Sequence, residues 1–535
     1  MQRLIFSMGM LLLANHSVLG QTAADGPQVD ILLTDGTVVD GSGSPGIVAD
    51  VAIDGAVIRD IGDLKNTAAK WTIDCSGLVI CPGFIDLHNH SDRPVTRPET
   101  RAAANYVTQG CTTMVTGNCG SGPVDTAAYY RKIDEHGAGT NIAHLIPQGS
   151  VRERVLGTAN IQPDEDQLNE ILALTERAMQ DGAWGMSTGL IYVPSSYATT
   201  TEITEMAKVV SRHGGFYASH IRGEGTGLLR SVEEALTIGR DAGIPVHVSH
   251  FKASGRDAWG LVREAARMIA EERDKGRTVT ADQYPYIASS TSLGATLLPS
   301  SARAGGRKAL VERFSDARTG PELRDLLQTA IAKRDNGRAV RIASYISRTD
   351  WVGLSLSEIA ERENRDAAVV AEEILCNGGA SVVNFSMSED DVRYLMTIDW
   401  VATASDGGAK LPSSTRPHPR NYGTFPRKIG YYAVTEGVLP LAAAIHSMTG
   451  LPASILKLKD RGLIKKGLAA DIVVFDPKTI RDTATFDHPH QYATGIRYVF
   501  VNGVTALSEG HLTGALAGKA LRSASYSVSG KKGTD

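Results

Sequence analysis

The sequence predicts an α/β protein whose largest part is a (β/α)8 barrel of the TIM type. Amphipathic stretches with helical spacing occur at residues 165–180, 202–213, 228–242 and 258–274. Short apolar segments typical of strands lie around and between them, at residues 112–117, 142–146, 184–189, 216–220, 245–249, 278–282 and 400–405. Such alternation indicates a parallel sheet. An earlier apolar run that ends at Leu87 brings the strands to eight, the number that closes a barrel.

Both ends of the chain are predicted to be rich in strands and to form one small β-sandwich. In the first part, apolar runs such as 48–53 alternate with Asp-Gly turn signals. A similar pattern of apolar runs and turn signals occurs late in the chain, where residues 470–475 resemble a buried strand. We therefore expect residues 21–82 and 451–522 to pair into one sandwich, and residues 83–450 to form the barrel.

The segment between the seventh and eighth predicted strands, residues 288–398, is too long for a plain loop. A parallel barrel gathers the carboxyl ends of its strands at one face. We therefore expect this segment to carry an inserted lid.

The first twenty residues have the pattern of a secretory signal peptide. Arg3 supplies a positive charge, residues 4–13 are apolar, and small residues around Gly20 permit cleavage. An uncleaved anchor is the alternative, but no later run approaches the ~18 apolar residues of a spanning helix. We therefore expect export (periplasmic or secreted), no membrane span after cleavage of residues 1–20, and a flexible tail at residues 523–535.

Composition and charge indicate that function comes from a site rather than from bulk electrostatics. The 535 residues carry a formal net charge of −4 and are 42% hydrophobic, without the basic field that nucleic-acid binding requires. The five cysteines are too few, and odd in number, to form a disulfide framework in a chain of this length. At least one thiol should therefore have another use.

A His-x-His pair ends the first predicted barrel strand. Residues two apart in a strand project from the same face, so His88 and His90 can reach one point together. Two neutral imidazoles at one point make half of a transition-metal site. A bare His-x-His is more often a pair of solvated side chains, so this interpretation depends on the rest of the chain.

Four further strands end at or just before residues that can bind a metal. His220 and His250 end predicted strands one βα unit apart, and Cys119 follows the second strand in a glycine-rich turn. Each alone is more often structural, but a thiolate beside two imidazoles suits zinc, whose catalytic sites keep one position for water. Asp406 ends the eighth strand, where a carboxylate could bind a metal or move a proton, although Asp before Gly is also a common turn. Together these residues predict metal-assisted hydrolysis.

The motifs resemble those of the amidohydrolase superfamily and, within it, the D-aminoacylases (N-acyl-D-amino-acid deacylases). The superfamily resemblance is carried by the first-strand motif Pro82-Gly-Phe-Ile-Asp-Leu-His-Asn-His. The narrower resemblance, from about residue 30 to 505, is carried by Gly117-Asn-Cys-Gly, Trp184-Gly-Met-Ser-Thr-Gly-Leu, His220-Ile-Arg-Gly-Glu, Ser249-His-Phe-Lys, Asp282-Gln-Tyr-Pro-Tyr, Ser405-Asp-Gly and Arg416-Pro-His-Pro-Arg-Asn-Tyr-Gly.

The resemblance implies one tightly held zinc ion and a second, weaker metal position. The tight site would use Cys119, His220 and His250, and the second would use His88, His90 and Asp406. Asp406 would also act as the general base and then the general acid. The residues implied to hold the carboxylate of the substrate are Lys252, Tyr284 and Arg420.

The activity that follows from the resemblance is hydrolysis of N-acyl-D-amino acids to a carboxylate and a free D-amino acid. One alternative is a secreted dipeptidase for L-Xaa-D-Xaa dipeptides, which would need a carboxylate such as Glu224 or Asp92 to receive the free amine. A second is the opening of a cyclic amide, which the predicted carboxylate-binding residues make less favourable. A third is a metal-free barrel kept as a binding or scaffold protein, although every proposed metal ligand is present.

Overall fold

The computed structural model describes residues 28–526. The predicted signal peptide and residues 527–535 of the predicted tail lie outside this range. Within it the chain forms a barrel, a sheet built from both ends of the chain and an inserted subdomain. Among residues 28–526, no helix combines the length and the apolar character that crossing a bilayer demands.

The N-terminal part of the sheet begins at Val29. Its five strands are β1 (Val29–Val38), β2 (Ile47–Asp54), β3 (Val57–Gly62), β4 (Ala69–Asp74) and β5 (Val79–Pro82). β1 has a register shift between Leu33 and Gly36, and it pairs with β4 before the shift and with β5 after it. This bend lets one strand belong to two parts of the sheet, as a sandwich built from a continuous sheet requires.

The barrel follows directly from β5. Its first strands are β6 (Phe84–Asp86), β7 (Cys111–Thr116), β8 (Asn141–His144), β9 (Ile146–Pro147), β10 (Gly185–Gly189), β11 (Phe216–His220), β12 (Val246–Val248) and β13 (Val279–Gln283). β8 and β9 are two halves of one barrel strand, since β8 pairs with β7 and β9 pairs with β10. All of these pairings are parallel.

Helices cover the outside of the barrel. They are α1 (Ala104–Val107), α2 (Thr126–His136), α3 (Gln148–Leu156), α4 (Glu165–Gln180), α5 (Thr200–Arg212), α6 (Leu228–Ala242) and α7 (Leu261–Asp274). α4 begins at a capping box in which Asp164 and Gln167 bond each other's backbone N–H groups. α6 ends at Gly243, whose left-handed φ of 60° suits a helix C-terminus.

An inserted subdomain with its own core separates β13 from the eighth barrel strand. Its elements are β14 (Ala288–Ser292), α8 (Leu293–Leu297), α9 (Gly306–Ser315), α10 (Thr319–Ala332), β15 (Val340–Ser344), α11 (Leu356–Glu363), α12 (Ala367–Cys376) and β16 (Ser381–Phe385). The three strands form an antiparallel sheet, and Trp351 lies fully buried in the core beneath them.

The subdomain ends earlier than the sequence predicts. The next helix, α13 (Glu389–Met396), packs against α7, and its Leu395 lies in the apolar core of the barrel. α13 is therefore a barrel helix, and the inserted part is residues 288–385 rather than 288–398.

The barrel closes at its eighth strand, β17 (Val401–Thr403), which pairs in parallel with β13. The backbone N–H of Asp406 donates to the carbonyl of His88 at 2.8 Å, and that of His90 donates to Gly407 at 2.7 Å. These two bonds join the first strand to the eighth. The elements that follow are α14 (Arg420–Arg427), a π-helix (Lys428–Thr435), α15 (Leu441–His446) and α16 (Gly450–Ile455).

The last strands complete the sheet from the other end of the chain. They are β18 (Ile472–Phe475), β19 (Ile496–Val501), β20 (Val504–Ser508) and β21 (His511–Leu512). β18 pairs antiparallel with β5, and Ile53, Ile80 and Phe500 share a buried core. The predicted fold class, a (β/α)8 barrel with a sandwich from both termini and an insertion, is confirmed.

The C-terminal segment differs from its predicted place in the sandwich. The last strand ends at Leu512, and the chain then runs along the barrel, where Gly518 bridges Ala138 and Ala520 bridges Ile142. Residues 523–526 of the predicted tail also contact the barrel, since the Ser523 N–H donates to the carbonyl of Gly182 at 3.0 Å. Backbone pairing to the barrel edge, which no local pattern encodes, holds this segment.

Candidate metal centre and active site

The carboxyl ends of five barrel strands bring the predicted metal-binding residues into one cluster. All of them are buried except His90, whose side chain is 35% exposed. The residues that meet there are His88, His90, Cys119, His220, His250 and Asp406. Parallel strands all point toward one face, so residues hundreds of positions apart meet at the barrel mouth.

The thiol of Cys119 lies at the centre of this cluster. Its Sγ is 3.3 Å from His88 Nε2, 3.5 Å from His220 Nδ1 and 3.7 Å from His250 Nε2. The two last-named imidazole nitrogens are 2.7 Å apart. Cys119, His220 and His250 thus form one potential metal-binding group, the set that the resemblance implies for the tight site.

Two further potential groups overlap with the first. One consists of His88, His90 and Cys119, and the other of His88, His250 and Asp406. His90 Nε2 is 3.0 Å and His88 Nε2 is 3.5 Å from Asp406 Oδ1, so the residues implied for the second site also touch. Cys119 and His88 each belong to two groups, so the cluster is not divided into two independent sites.

The donor set fits a transition metal such as zinc. Burial alone would raise the pKa of the Cys119 thiol, but the His88 and His220 imidazoles hold that pKa well below its usual range. The resulting thiolate faces imidazole nitrogens, which is the ligand combination that zinc favours. Nitrogens as close as those of His220 and His250 also need a proton or a cation between their lone pairs.

Local backbone geometry presents the ligands to the centre. Cys119, His250 and Asp406 have left-handed φ values of 52°, 37° and 50°. Such strain in residues other than glycine concentrates at functional sites. The Cys119 turn is fixed by Gly117, where a Cβ would lie 2.1 Å from a backbone carbonyl and whose N–H donates to Asp92 at 2.6 Å.

The three residues predicted to bind a substrate carboxylate lie together beside the cluster. Arg420 Nη1 is 2.8 Å from Asp406 Oδ2, and its guanidinium lies 4.7 Å from the centre of the Tyr284 ring. Lys252 Nζ lies 5.7 Å from the same ring centre. The buried hydroxyls of Tyr284 and Tyr286 both lack a hydrogen-bond partner among residues 28–526, but the Tyr286 ring packs against Arg427 rather than Arg420.

Several buried residues support the site without having been singled out as site residues by the sequence. Asp282 accepts hydrogen bonds from the His247 ring and from the backbone of His250. Asp86 accepts the Ser405 N–H at 2.8 Å and so holds the turn before Asp406. Asp86 and Asp282 each lie inside a motif quoted above. The signal for His247 in the sequence was its position three residues before the predicted ligand His250.

Two other residues complete the walls of the site. Glu224 Oε1 lies 2.5 Å from Lys252 Nζ and 3.0 Å from His250 Nδ1, so it orients the His250 ring. The ring of Tyr192 packs edge-on to His220 at 5.1 Å, and its hydroxyl lies 3.0 Å from Thr291 Oγ1 on β14. The inserted subdomain therefore reaches the metal-binding cluster through Tyr192.

A barrel with a buried Cys/His/Asp cluster at its mouth defines a metal-dependent hydrolase, and residues 72–506 match the model of an amidohydrolase family. The chain is 36% identical to a D-aminoacylase of Alcaligenes xylosoxydans xylosoxydans over 523 residues, covering 93% of this chain and 98% of the relative. A solved D-aminoacylase structure, studied for its binuclear metal centre, matches with a TM-score of 0.79 at 32% identity, over 92% of this chain and 100% of that one.

An N-acyl-D-glutamate deacylase from Bordetella bronchiseptica, solved with zinc and a phosphonate inhibitor, matches with a TM-score of 0.80 at 30% identity. The match covers 93% of this chain and 100% of that one. The chain therefore belongs to the D-aminoacylase (N-acyl-D-amino-acid deacylase) family of the amidohydrolases, metal-dependent enzymes that act on linear amides.

Proposed function

We propose that this enzyme uses zinc to hydrolyse the amide bond of N-acyl-D-amino acids, releasing a carboxylate and a free D-amino acid. One observation carries the proposal. The carboxylate of Asp406 touches the potential metal ligands His88 and His90 on one side and Arg420 on the other. A proton-transferring group thus lies between a metal site and an anchor for a substrate carboxylate.

We propose Cys119, His220 and His250 as ligands of a tight zinc ion, with His88, His90 and Asp406 at a second, weaker position. The thiolate and imidazole donors support zinc, as does the zinc-containing deacylase structure from Bordetella bronchiseptica. The binuclear centre of the related D-aminoacylase supports the second position. When bound, the metal would polarise the acyl carbonyl and lower the pKa of water at the site.

The proposed mechanism begins with the carboxylate of the substrate. Arg420 pairs with Asp406 through Nη1, but its buried Nε has no partner among residues 28–526 and can donate to the substrate carboxylate. Lys252, which also contacts Glu224, adds positive charge, and the free Tyr284 hydroxyl donates a hydrogen bond. These contacts orient the amide toward the metal-binding cluster. The inserted subdomain, held at the mouth by the Tyr192–Thr291 contact, limits access of bulk water.

Asp406 then transfers one proton from the attacking water to the leaving amide nitrogen. Burial alone would raise the pKa of its carboxyl, but the guanidinium of Arg420 and the imidazole of His88 hold that pKa well below its usual range. Asp406 is therefore ionised at neutral pH and accepts a proton from the attacking water as the C–O bond forms. It returns that proton to the amide nitrogen as the C–N bond breaks, and the amine leaves neutral.

The dipeptidase alternative is less well supported by the geometry. A free amine on the substrate needs an unpaired carboxylate, but Glu224 is already paired with Lys252 at 2.5 Å. Asp92 accepts the backbone N–H of Gly117, and burial raises the pKa of its carboxyl to about 6. Glu224 is thus already paired with a cation, and one oxygen of Asp92 is already used by the Gly117 turn.

Hydrolysis of matched N-acetyl-D- and N-acetyl-L-amino acids by the zinc-loaded protein tests this proposal, with L-Xaa-D-Xaa dipeptides assayed alongside. We expect turnover of the D-acyl compounds and little of the others. Activity confined to dipeptides would favour the alternative, and a fully metallated protein that turns over none of these compounds would contradict the proposed substrate.

We also propose that the enzyme is exported, on the strength of the N-terminal pattern of Arg3, an apolar run and small residues. Fractionation of expressing cells and N-terminal sequencing of the product test this. Cleavage near Gly20 and recovery outside the cytoplasm are expected, whereas an intact N-terminus in the cytoplasm would refute export.

A further inference from the structure

The carboxylate of Asp282 touches two different metal-binding groups at once. It lies on β13, and its side chain is 1% exposed. Oδ1 accepts the backbone N–H of His250 at 2.7 Å, and Oδ2 lies 3.5 Å from His88 Nδ1. His250 belongs to the group with Cys119 and His220, His88 belongs to the group with His90 and Cys119, and both belong to the group with Asp406.

Asp282 contacts the backbone of His250 and the imidazole ring of His88. The His250 backbone has a left-handed φ of 37°, which is unfavourable for a residue with a Cβ, and the bond to Asp282 holds it there. For His88, a carboxylate beside Nδ1 favours a proton on that nitrogen. The lone pair of Nε2 then points at Cys119 and Asp406.

A second buried histidine keeps Asp282 in place. His247 Nε2 lies 2.8 Å from Asp282 Oδ2, and His247 Nδ1 lies 2.8 Å from Thr280 Oγ1. With the carboxylate as acceptor, Nε2 donates to Asp282 and the Thr280 hydroxyl donates to Nδ1. All three side chains are buried, so this chain of hydrogen bonds is closed to water.

We propose that Asp282 is a positioning residue that sets the geometry of both metal-binding groups through one carboxylate, with His247 as its support. Asp282 does not touch the substrate in this role. It makes the two metal positions interdependent, because a displacement of its carboxylate moves His250 and His88 together. Loss of such a partner of a metal ligand lowers metal affinity by roughly 10- to 100-fold.

The test uses Asp282→Asn in the full-length mature protein, with Co²⁺ substituted for zinc as a spectroscopic probe. An amide keeps one oxygen acceptor but presents N–H groups to His247 and His88, which also have N–H groups to donate. We expect altered cobalt absorption bands, release of metal to a chelator at least ~10-fold faster, and loss of the second metal equivalent before the first.

Two further variants separate positioning from general stability. His247→Gln retains a side-chain N–H that can reach Asp282 and should restore much of the wild-type cobalt spectrum, whereas His247→Phe should resemble Asp282→Asn. Asp50→Asn is the matched control, since Asp50 is a buried carboxylate of the sandwich that accepts the N–H groups of Asp35 and Leu64. It should change the melting temperature but not the cobalt spectrum.

The inference rests on the proposed metal centre, and the two can fail separately. A wild-type protein that binds neither zinc nor cobalt would refute the centre itself. A metal-binding wild type with a folded Asp282→Asn variant of unchanged spectrum and release rate would overturn the role of Asp282 alone. If Asp282→Asn does not fold, identical spectra and release rates for His247→Gln, His247→Phe and wild type would overturn it.

Discussion

Replacement of Cys119 by Ala should remove tight metal binding while leaving the fold intact. The thiol lies within 3.3–3.7 Å of three imidazoles and belongs to two of the three potential metal-binding groups. Among residues 28–526, no other cysteine belongs to a potential metal-binding group, and Cys81 and Cys111 are buried in an apolar cluster. The change therefore weakens both proposed metal positions.

The expected loss of metal affinity is estimated by dividing the zinc-binding free energy equally among the ligands. Four-ligand structural zinc sites bind with about 10–16 kcal/mol, or about 2.5–4 kcal/mol for each ligand. At about 1.4 kcal/mol for each factor of ten, the metal dissociation constant of Cys119→Ala should rise by roughly 10²–10³-fold. Stability of the metal-free protein should change little, since Ala at a φ of 52° is no more strained than Cys.

The assay is metal content by mass spectrometry after dialysis against a weak chelator, followed by the rate of N-acetyl-D-amino acid hydrolysis. Cys81→Ala is the matched control, because burial raises the pKa of this thiol and keeps it neutral, away from the site. It should keep its metal and activity at a stability cost of about 1 kcal/mol. A Cys119→Ala protein with full zinc and full activity would show that the ligand set is wrong.

Other changes test the remaining parts of the site. Asp406→Asn should lower kcat at least ~100-fold in the zinc-loaded enzyme with little change in the tightly bound metal, and near-normal turnover would exclude it as the base. Arg420→Met should raise KM by roughly 10- to 100-fold. It should also move the acid limb of the kcat/KM profile to higher pH, because Asp406 acts deprotonated and loses the charge that depresses its carboxyl pKa; an unmoved limb would refute this coupling. Tyr284→Phe should raise KM by about 3- to 10-fold with an unchanged melting temperature, because its hydroxyl bonds nothing in residues 28–526 and its ring lies against Arg420. The control Tyr286→Phe loses an equally unpartnered hydroxyl, but its ring lies against Arg427, so KM should not change. Chelation should lower the melting temperature and zinc should restore it, since a ligand at 100 times its Kd stabilises by about 2.7 kcal/mol; equal melting temperatures would contradict metal binding by the folded state.

Much of the fold follows from sequence because it depends on local patterns. Apolar runs and helical spacing predicted the barrel strands and helices to within a few residues, as at α4 and α6. In a parallel barrel, the strand ends must share one face. His88, Cys119, His220 and Asp406 could therefore be placed together without any knowledge of how the helices pack.

How the metal-binding residues are shared among overlapping groups depends on tertiary structure. Sequence indicates which residues can bind metal, but only the three-dimensional arrangement places Cys119 between His88 and His220 and so lets two groups share it. Arg420 follows Asp406 by fourteen residues, and its contact with that carboxylate depends on where α14 begins.

The supporting carboxylates and the outer boundaries also depend on tertiary packing. Asp282 was visible in a motif, but its two oxygens reach His250 and His88 only because β13 lies next to β12 in the closed barrel. Likewise, the insertion ends at Phe385 because α13 fits the barrel core. Local sequence patterns specify periodicity and turn chemistry, whereas contacts across tens to hundreds of residues depend on the packing of the whole chain.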